Sequence, residues 1–238
     1  HAEEEIHRLA FFDPLTELPN RRLLHDRVRQ ALASCERRSM HAAILFLDLD
    51  NFKGLNDTMG HDVGDLLLTE VAQRLTACVR TEDTVARLGG DEFVVMLENL
   101  SAEPGEAARQ AEAVSEKIRL ALSQPYRLQE REHFSSTSIG ICLFCSGGEN
   151  VDDLFKHADV ALYKAKAAGR NASRFFDPEM QAALYARAAL ENELRQAIAA
   201  QQFLLHFQLQ VDSAQKILGA EVLLRWQHPT RGLISPAE

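Results

Sequence analysis

The chain has 238 residues, 46% of them apolar, and a formal net charge of −9, which leaves room for one generous domain or for one domain plus part of another. The acidic balance argues against a nucleic-acid duplex as ligand, because phosphate backbones are bound by a surplus of Lys and Arg. No run approaches the roughly 18 consecutive apolar residues that span a bilayer, and the opening "HAEEEIHRLA" has neither the basic flank nor the apolar stretch of a secretory signal, so a soluble, cytoplasmic chain is expected.

His1 in place of Met, and a final "GLISPAE" that stops in mid-pattern, predict a piece of a longer protein whose missing N-terminal region is free to be membrane-anchored. After an acidic first helix, "LPNRRLLHDRVRQALASCERR" sets Leu24, Val28, Ala31 and Cys35 on one helical face with Asn20 placed as cap. "HAAILFLDLD" reads as a buried strand ending in acids, and a short helical turn, "NFKGLND", leads to a helix whose Leu67, Val71 and Leu75 face the core. "ARLGGDEFVVML" then reads as a hairpin. Its two glycines serve either a plain turn or a close approach of something to the backbone. A helix from about Pro104 to Ser123, a strand around "FSSTSIGICLF", a helix "VDDLFKHADVALYKAKAAG" and a strand "SRFFD" follow. This order predicts a ferredoxin-like α+β sheet, mostly antiparallel and flanked by helices. From Pro178 to about Gln201 an Ala-rich helix connects to a new strand-like run, "FLLHFQLQV". The four cysteines are scattered; Cys142 and Cys145 form a CxxC inside an apolar strand, which reads as strand packing and not as a zinc or redox pair.

Two acidic ends carry the chemistry. Asp48 and Asp50 are alternate residues of one strand and share a face, while Asp91 and Glu92 occupy the hairpin turn. If the first strand pairs beside the hairpin, three or four carboxylates meet at one sheet edge. Crowded carboxylates repel unless a cation separates them, and Mg²⁺ or Mn²⁺ with substrate phosphates suits such a set. The competing reading is that Asp48 and Asp50 cap the next helix and Asp91 completes a turn. Phe52, Lys53 and free N–H groups at a helix N-terminus favour an anion nearby. Lys166 and Arg170 close another helix, either as further phosphate ligands or as the basic residues common at any helix C-terminus.

The blocks "DPLTELPNRR", "FLDLDNFKGLNDTMGHDVGDLLL", "ARLGGDEF" and "ALYKAKAAGRN" resemble, in order and spacing, the signature blocks of the GGDEF family of diguanylate cyclases, from about Asp13 to Phe176. The resemblance implies a cyclase-like palm fold that condenses two GTP into cyclic di-GMP and two pyrophosphates. It implies that Asp48, the Leu49 carbonyl, Asp91 and Glu92 hold Mg²⁺, with Asp91 and Glu92 as catalytic residues. Gly89 and Gly90 would let the phosphates lie on the hairpin. Asn56 and Asp65 would read guanine with His61 nearby, and Phe52, Lys53, Lys166 and Arg170 would bind the outer phosphates. It also implies a homodimer, one GTP per protomer, and an N-terminal helix that relays an upstream sensor. "RTED", with Arg80 and Asp83, matches the family's RxxD site for inhibition by its own product; a salt bridge at a helix end is the plainer account.

The tail from "ELRQAIAAQQ" onward resembles the start of an EAL domain, the cyclic di-GMP phosphodiesterase class, with Glu221-Val222-Leu223 where that family has Glu-Ala-Leu, and with Leu209 where proline is usual. The expected organisation is a linker helix over 1–12, a cyclase domain over 13–176, a connecting helix over 177–200 and the beginning of an EAL domain over 201–238. The alternative function is a catalytically silent module that binds GTP or cyclic di-GMP and regulates the EAL phosphodiesterase.

Overall fold

An unbroken apolar run in the middle of β1 (His41–Leu49) is buried from Ala42 to Leu47, as befits a strand covered on both faces. In this computed structural model, which describes residues 2–129, 131–145, 150–213 and 216–234, the contacts divide into two units, His1–Ala182 and Ala183–Glu238.

The first unit opens with α1 (Ala2–Phe11) and α2 (Arg21–Arg38). Asn20 caps α2 by accepting from the N–H groups of Arg22 and Leu23. This is the cap its position predicts, and it removes two of the helix's unpaired donors. β1 is followed by α3 (Phe52–Met59), α4 (His61–Cys78), β2 (Thr84–Gly89), β3 (Glu92–Leu100) and α5 (Pro104–Leu122). Then come β4 (Tyr126–Leu128), β5 (Arg131–His133), β6 (Thr137–Phe144), α6 (Val151–Ala167) and β7 (Ser173–Phe175). The sheet runs β2-β3-β1-β6-β7, antiparallel except for the parallel β6–β7 pair. The ferredoxin-like order read from the sequence is therefore present, with β1 at its centre.

Alternation along the strands makes two cores. Ile44, Phe46, Val94 and Met96 face Leu24, Val28, Leu154 and Leu162 of α2 and α6. The intervening Leu45, Leu47, Phe93 and Val95 are as deeply buried, on the side where α5 meets β1 and β3. The small hairpin β4–β5, which forms its own two-stranded sheet, was not expected from the sequence. Tyr126 is fully buried there beneath the Arg74 guanidinium, 3.8 Å from the ring centroid. Cys142 is buried, whereas Cys145 lies just past the end of β6 and is partly exposed; neither forms a disulfide.

α7 (Pro178–Ala199) runs across the boundary between the units. The second unit continues with β8 (Phe203–Val211), β9 (Ile217–His228) and β10 (Gly232–Ile234) in one antiparallel sheet. Glu221 lies on β9 opposite Gln208, and the last residues of the expected EAL segment, 235–238, fall outside the described residues. No helix among the described residues is long and apolar enough to cross a membrane.

Candidate active site

The register of the sheet builds the site. Asp48 on β1 is the direct partner of Glu92 on β3, and opposite residues of an antiparallel pair project from the same face. Gly89 (φ 138°) and Gly90 (φ 53°) form the turn before Asp91, and a β-carbon at either would meet nothing within 4 Å. The glycines are thus required by backbone conformation, and the space above the turn is open.

Burial, more than any other cause, raises the Asp48 pKa above the ordinary carboxylate value; the Lys166 ammonium opposes this, while the charges of Asp91 and Asp50 add to it. Glu92 is raised in the same way, by burial first, with Arg21 opposing and Asp48, Asp91 and Asp159 adding. Lys166, on the last turn of α6, places its Nζ 2.7 Å from Asp48 Oδ2. Among the described residues no three His, Cys, Asp or Glu side chains converge as a ready-made metal site. The donor chemistry still fits a hard cation, because two carboxylates held together at a cost to ionisation are stabilised by positive charge between them.

Asp50 does not join this set and does not cap α3. The N-cap of α3 is Asn51, in the left-handed region at φ 61° and with no side-chain cap bond. Asp50 is instead buried, and its carboxylate accepts from Ser136 Oγ (2.6 Å), Ser138 Oγ (2.8 Å) and the Asn171 N–H (3.0 Å). Asp48 does not cap α3 either.

α3 and α4 meet at an elbow on Gly60 (φ 86°). Asn56 Oδ1 is buried there without a hydrogen-bond partner. It occupies the space a β-carbon on Gly64 would take, at 2.0 Å, which explains a glycine in the first turns of α4. An unpaired buried acceptor is costly, so a donor from outside the chain, a water or a ligand, would be stabilised there. Asp65 and His61 lie on the same first turns of α4, both exposed; Phe52 is buried and Lys53 exposed at the start of α3. Arg170 is exposed in the turn after α6.

Arg80 and Asp83 close a tight turn before β2. Asp83 Oδ2 accepts from the Arg80 N–H at 2.9 Å, and its Oδ1 accepts from the Glu98 N–H at 3.2 Å. The aspartate thus fixes backbone, and the helix-end salt bridge considered above is not formed. Arg80 itself is exposed.

Sequence reasoning missed Arg87. Its Nε and Nη2 both donate to the Gly90 carbonyl, at 3.1 and 2.8 Å, and Nη1 donates to both Asp13 oxygens, at 3.1 and 3.0 Å. Asp13 also accepts from the Thr16 N–H and hydroxyl. The guanidinium therefore fastens the glycine turn to the loop between α1 and α2. The only signal was an arginine on a strand two residues before a conformationally demanding turn.

A family model described as the diguanylate cyclase GGDEF domain matches residues 10–172, and one for the EAL domain matches residues 191–238. The chain is 46% identical over its full length to the bifunctional diguanylate cyclase/cyclic di-GMP phosphodiesterase MucR of Pseudomonas aeruginosa, and spans 34% of that relative's length. It resembles the GGDEF-only variant of P. aeruginosa TpbB (YfiN), with a TM-score of 0.65 at 35% identity, over 73% of this chain and 99% of that one. It also resembles the coiled-coil and GGDEF structure of Caulobacter crescentus DgcB in complex with c-di-GMP, with a TM-score of 0.65 at 30% identity, over 73% and 90% of the two chains.

Proposed function

The chain belongs to the GGDEF family of diguanylate cyclase domains, and from that premise we propose that it condenses two GTP into cyclic di-GMP with release of two pyrophosphates. The observation that carries the reading is the register of Asp48 against Glu92 beneath an open glycine turn, with Lys166 reaching the same carboxylate.

Asp48, the Leu49 carbonyl, Asp91 and Glu92 are the oxygen donors that would hold Mg²⁺ or Mn²⁺. Such an ion supplies charge neutralisation at the α-phosphate and acidifies the attacking hydroxyl. The chain's own residues do the rest. Gly89 and Gly90 admit the phosphates over the hairpin, and Phe52, Lys53, Lys166 and Arg170 hold the pyrophosphate end, where leaving-group charge accumulates. Asn56 and Asp65 accept from the guanine N–H groups, with His61 at the rim. Each 3′-oxygen bonds to the α-phosphorus of the facing GTP as the bond to pyrophosphate breaks, and the hydroxyl proton passes to a hairpin carboxylate. Asp91 and Glu92 are the catalytic pair. Asp91 is the candidate to take the hydroxyl proton, with the ion lowering that hydroxyl's pKa. Because each domain holds one GTP, two copies of the chain face each other, and a lone protomer is inactive.

Arg80 and Asp83 form the product-inhibition site, in keeping with an exposed guanidinium on a rigid turn. In a longer protein, α1 relays an upstream sensor, and an EAL domain continues from the segment that its family model matches at residues 191–238. The test is incubation with GTP and Mg²⁺ at high protein concentration. Cyclic di-GMP is expected from the wild type and none from Asp91→Ala. Nucleotide binding without product would favour the silent regulatory module.

A further inference from the structure

Two side chains, Asp48 near the end of β1 and Asp50 just past it, reach the last turn of α6 and the segment that follows, and they do so differently. Asp48 meets Lys166 through an ion pair that is partly open to solvent, with side-chain exposures of 17% and 35%. Asp50, two residues on, is 7% exposed and bonds to the main chain at Asn171. Between these tethers the backbone passes through three successive residues at positive φ: Gly169 (112°), Arg170 (63°) and Asn171 (44°). Left-handed backbone is unfavourable for Arg, less so for Asn, and persists where the surroundings hold it. The Arg170 N–H makes only a long bond, 3.3 Å, to the Ala165 carbonyl. Asn171 is held at both ends, its N–H by Asp50 and its side-chain oxygen by Arg119 Nη1 at 3.0 Å. Ser136 and Ser138 in turn fix the Asp50 carboxylate from the start of β6.

We propose that Asp50 is a positioning residue for the phosphate end of the site: its carboxylate holds the turn from Gly169 to Asn171, and through it Arg170, in place relative to Asp48. The inference rests on the reading of Lys166 and Arg170 as phosphate ligands. It gives separate tasks to Asp48, on β1, and Asp50, in the turn just after it. When a nucleotide and its cation arrive, the Asp48–Lys166 pair opens and Lys166 turns to the phosphates. The buried Asp50–Asn171 bond stays closed, so the segment keeps its path while its charges change partners.

Calorimetric titration of the full chain with 3′-deoxy-GTP, which cannot cyclise, and with GMP, both with Mg²⁺, separates the possibilities. The wild type should bind the triphosphate more tightly than GMP; equal affinities would sink the reading of the phosphate site before any Asp50 variant is made. Asp50→Ala should weaken triphosphate binding about tenfold, the size of one lost charge-assisted contact, and leave GMP binding within about twofold. Arg170→Ala should cost a similar factor, and the double variant little more, because Asp50 acts through Arg170. The Ser136→Ala/Ser138→Ala pair, which keeps the bond to Asn171, should lower the melting temperature and preserve the preference for the triphosphate. If Asp50→Ala does not fold, Asp50→Asn keeps the shape and should show a smaller loss of the same selective kind. Equal losses for both nucleotides, an unchanged preference, or full additivity with Arg170→Ala would overturn the proposal.

Discussion

At the scale of single residues, the contact with the widest reach is Asp13 with Arg87. The two side chains are 14% and 10% exposed and lie 74 positions apart in sequence. Burial alone would raise the Asp13 pKa, but the Thr16 hydroxyl and N–H and the Arg87 guanidinium outweigh it and hold the carboxyl below its ordinary value. A carboxyl depressed in the folded state contributes stability that is present above its unfolded pKa and is lost as pH falls through the folded one. Arg87→Ala should therefore destabilise the first unit by about 3 kcal/mol near neutral pH, as for a broken buried ion pair. The gap between variant and wild type should close as the pH drops below about 4. Urea titrations followed by far-ultraviolet circular dichroism at several pH values measure this, and a gap independent of pH would count against the Asp13 linkage. Asp48 and Glu92 were legible in the sequence because strand alternation and a glycine turn fix where acids at those positions fall. Arg87 was not, since nothing local announces a partner so distant. Neither reading offered for Asp50, cation ligand or helix cap, matches its contacts, because its partners, Ser136, Ser138 and Asn171, arrive from later elements.

At the scale of elements, helices with clear apolar stripes and strands with unbroken apolar runs matched their sequence patterns closely, because periodicity reports burial directly. The hairpin β4–β5 was missed for the converse reason. Its strands have three residues each, too few for a period to register, and they are held by the tertiary contact of Tyr126 with Arg74. Gly140 shows a further constraint that pattern alone does not convey. It lies in the middle of β6, where glycine usually weakens a strand, yet α6 crosses it so closely that a β-carbon would sit 2.0 Å from the Ala158 carbonyl oxygen and 2.3 Å from the Leu162 nitrogen. Those are backbone atoms, which cannot swing aside. Gly140→Ala should thus force α6 outward and cost about 3 kcal/mol, the upper part of the usual range for overpacking, read as a lowered urea midpoint. Since α6 carries Lys166, the same variant should loosen the Lys166–Asp48 pair. An alanine accepted at no cost would mean that the helix already has slack at this crossing.

At the scale of the whole molecule, the two units differ in how much they bury. The first has apolar cores on both faces of its sheet. The sheet of the second leaves Leu205, Phe207, Leu209, Val211 and Ile217 more than half exposed, and among the described residues its most enclosed side chains are Ala197 and Trp226. Burial of apolar surface is the main favourable term in folding, so the second unit is the weaker of the two. Trp226 is the single tryptophan of the chain, and all its described partners lie in the same unit: Gln202 Oε1 accepts from its indole N–H at 3.1 Å, and Phe203, His228 and Arg231 surround the ring. Its fluorescence therefore reports the second unit, whereas the helical signal comes mostly from the first. In a urea titration the Trp226 emission should shift to the red well before the circular dichroism at 222 nm is lost, giving two midpoints where a two-state chain gives one. Coincident midpoints would show instead that the two units unfold as a single cooperative body. The separation also bears on the proposed activity: if the carboxylate site belongs wholly to the first unit, the proposed cyclic di-GMP synthesis should persist through the Trp226 transition and end only when the first unit unfolds.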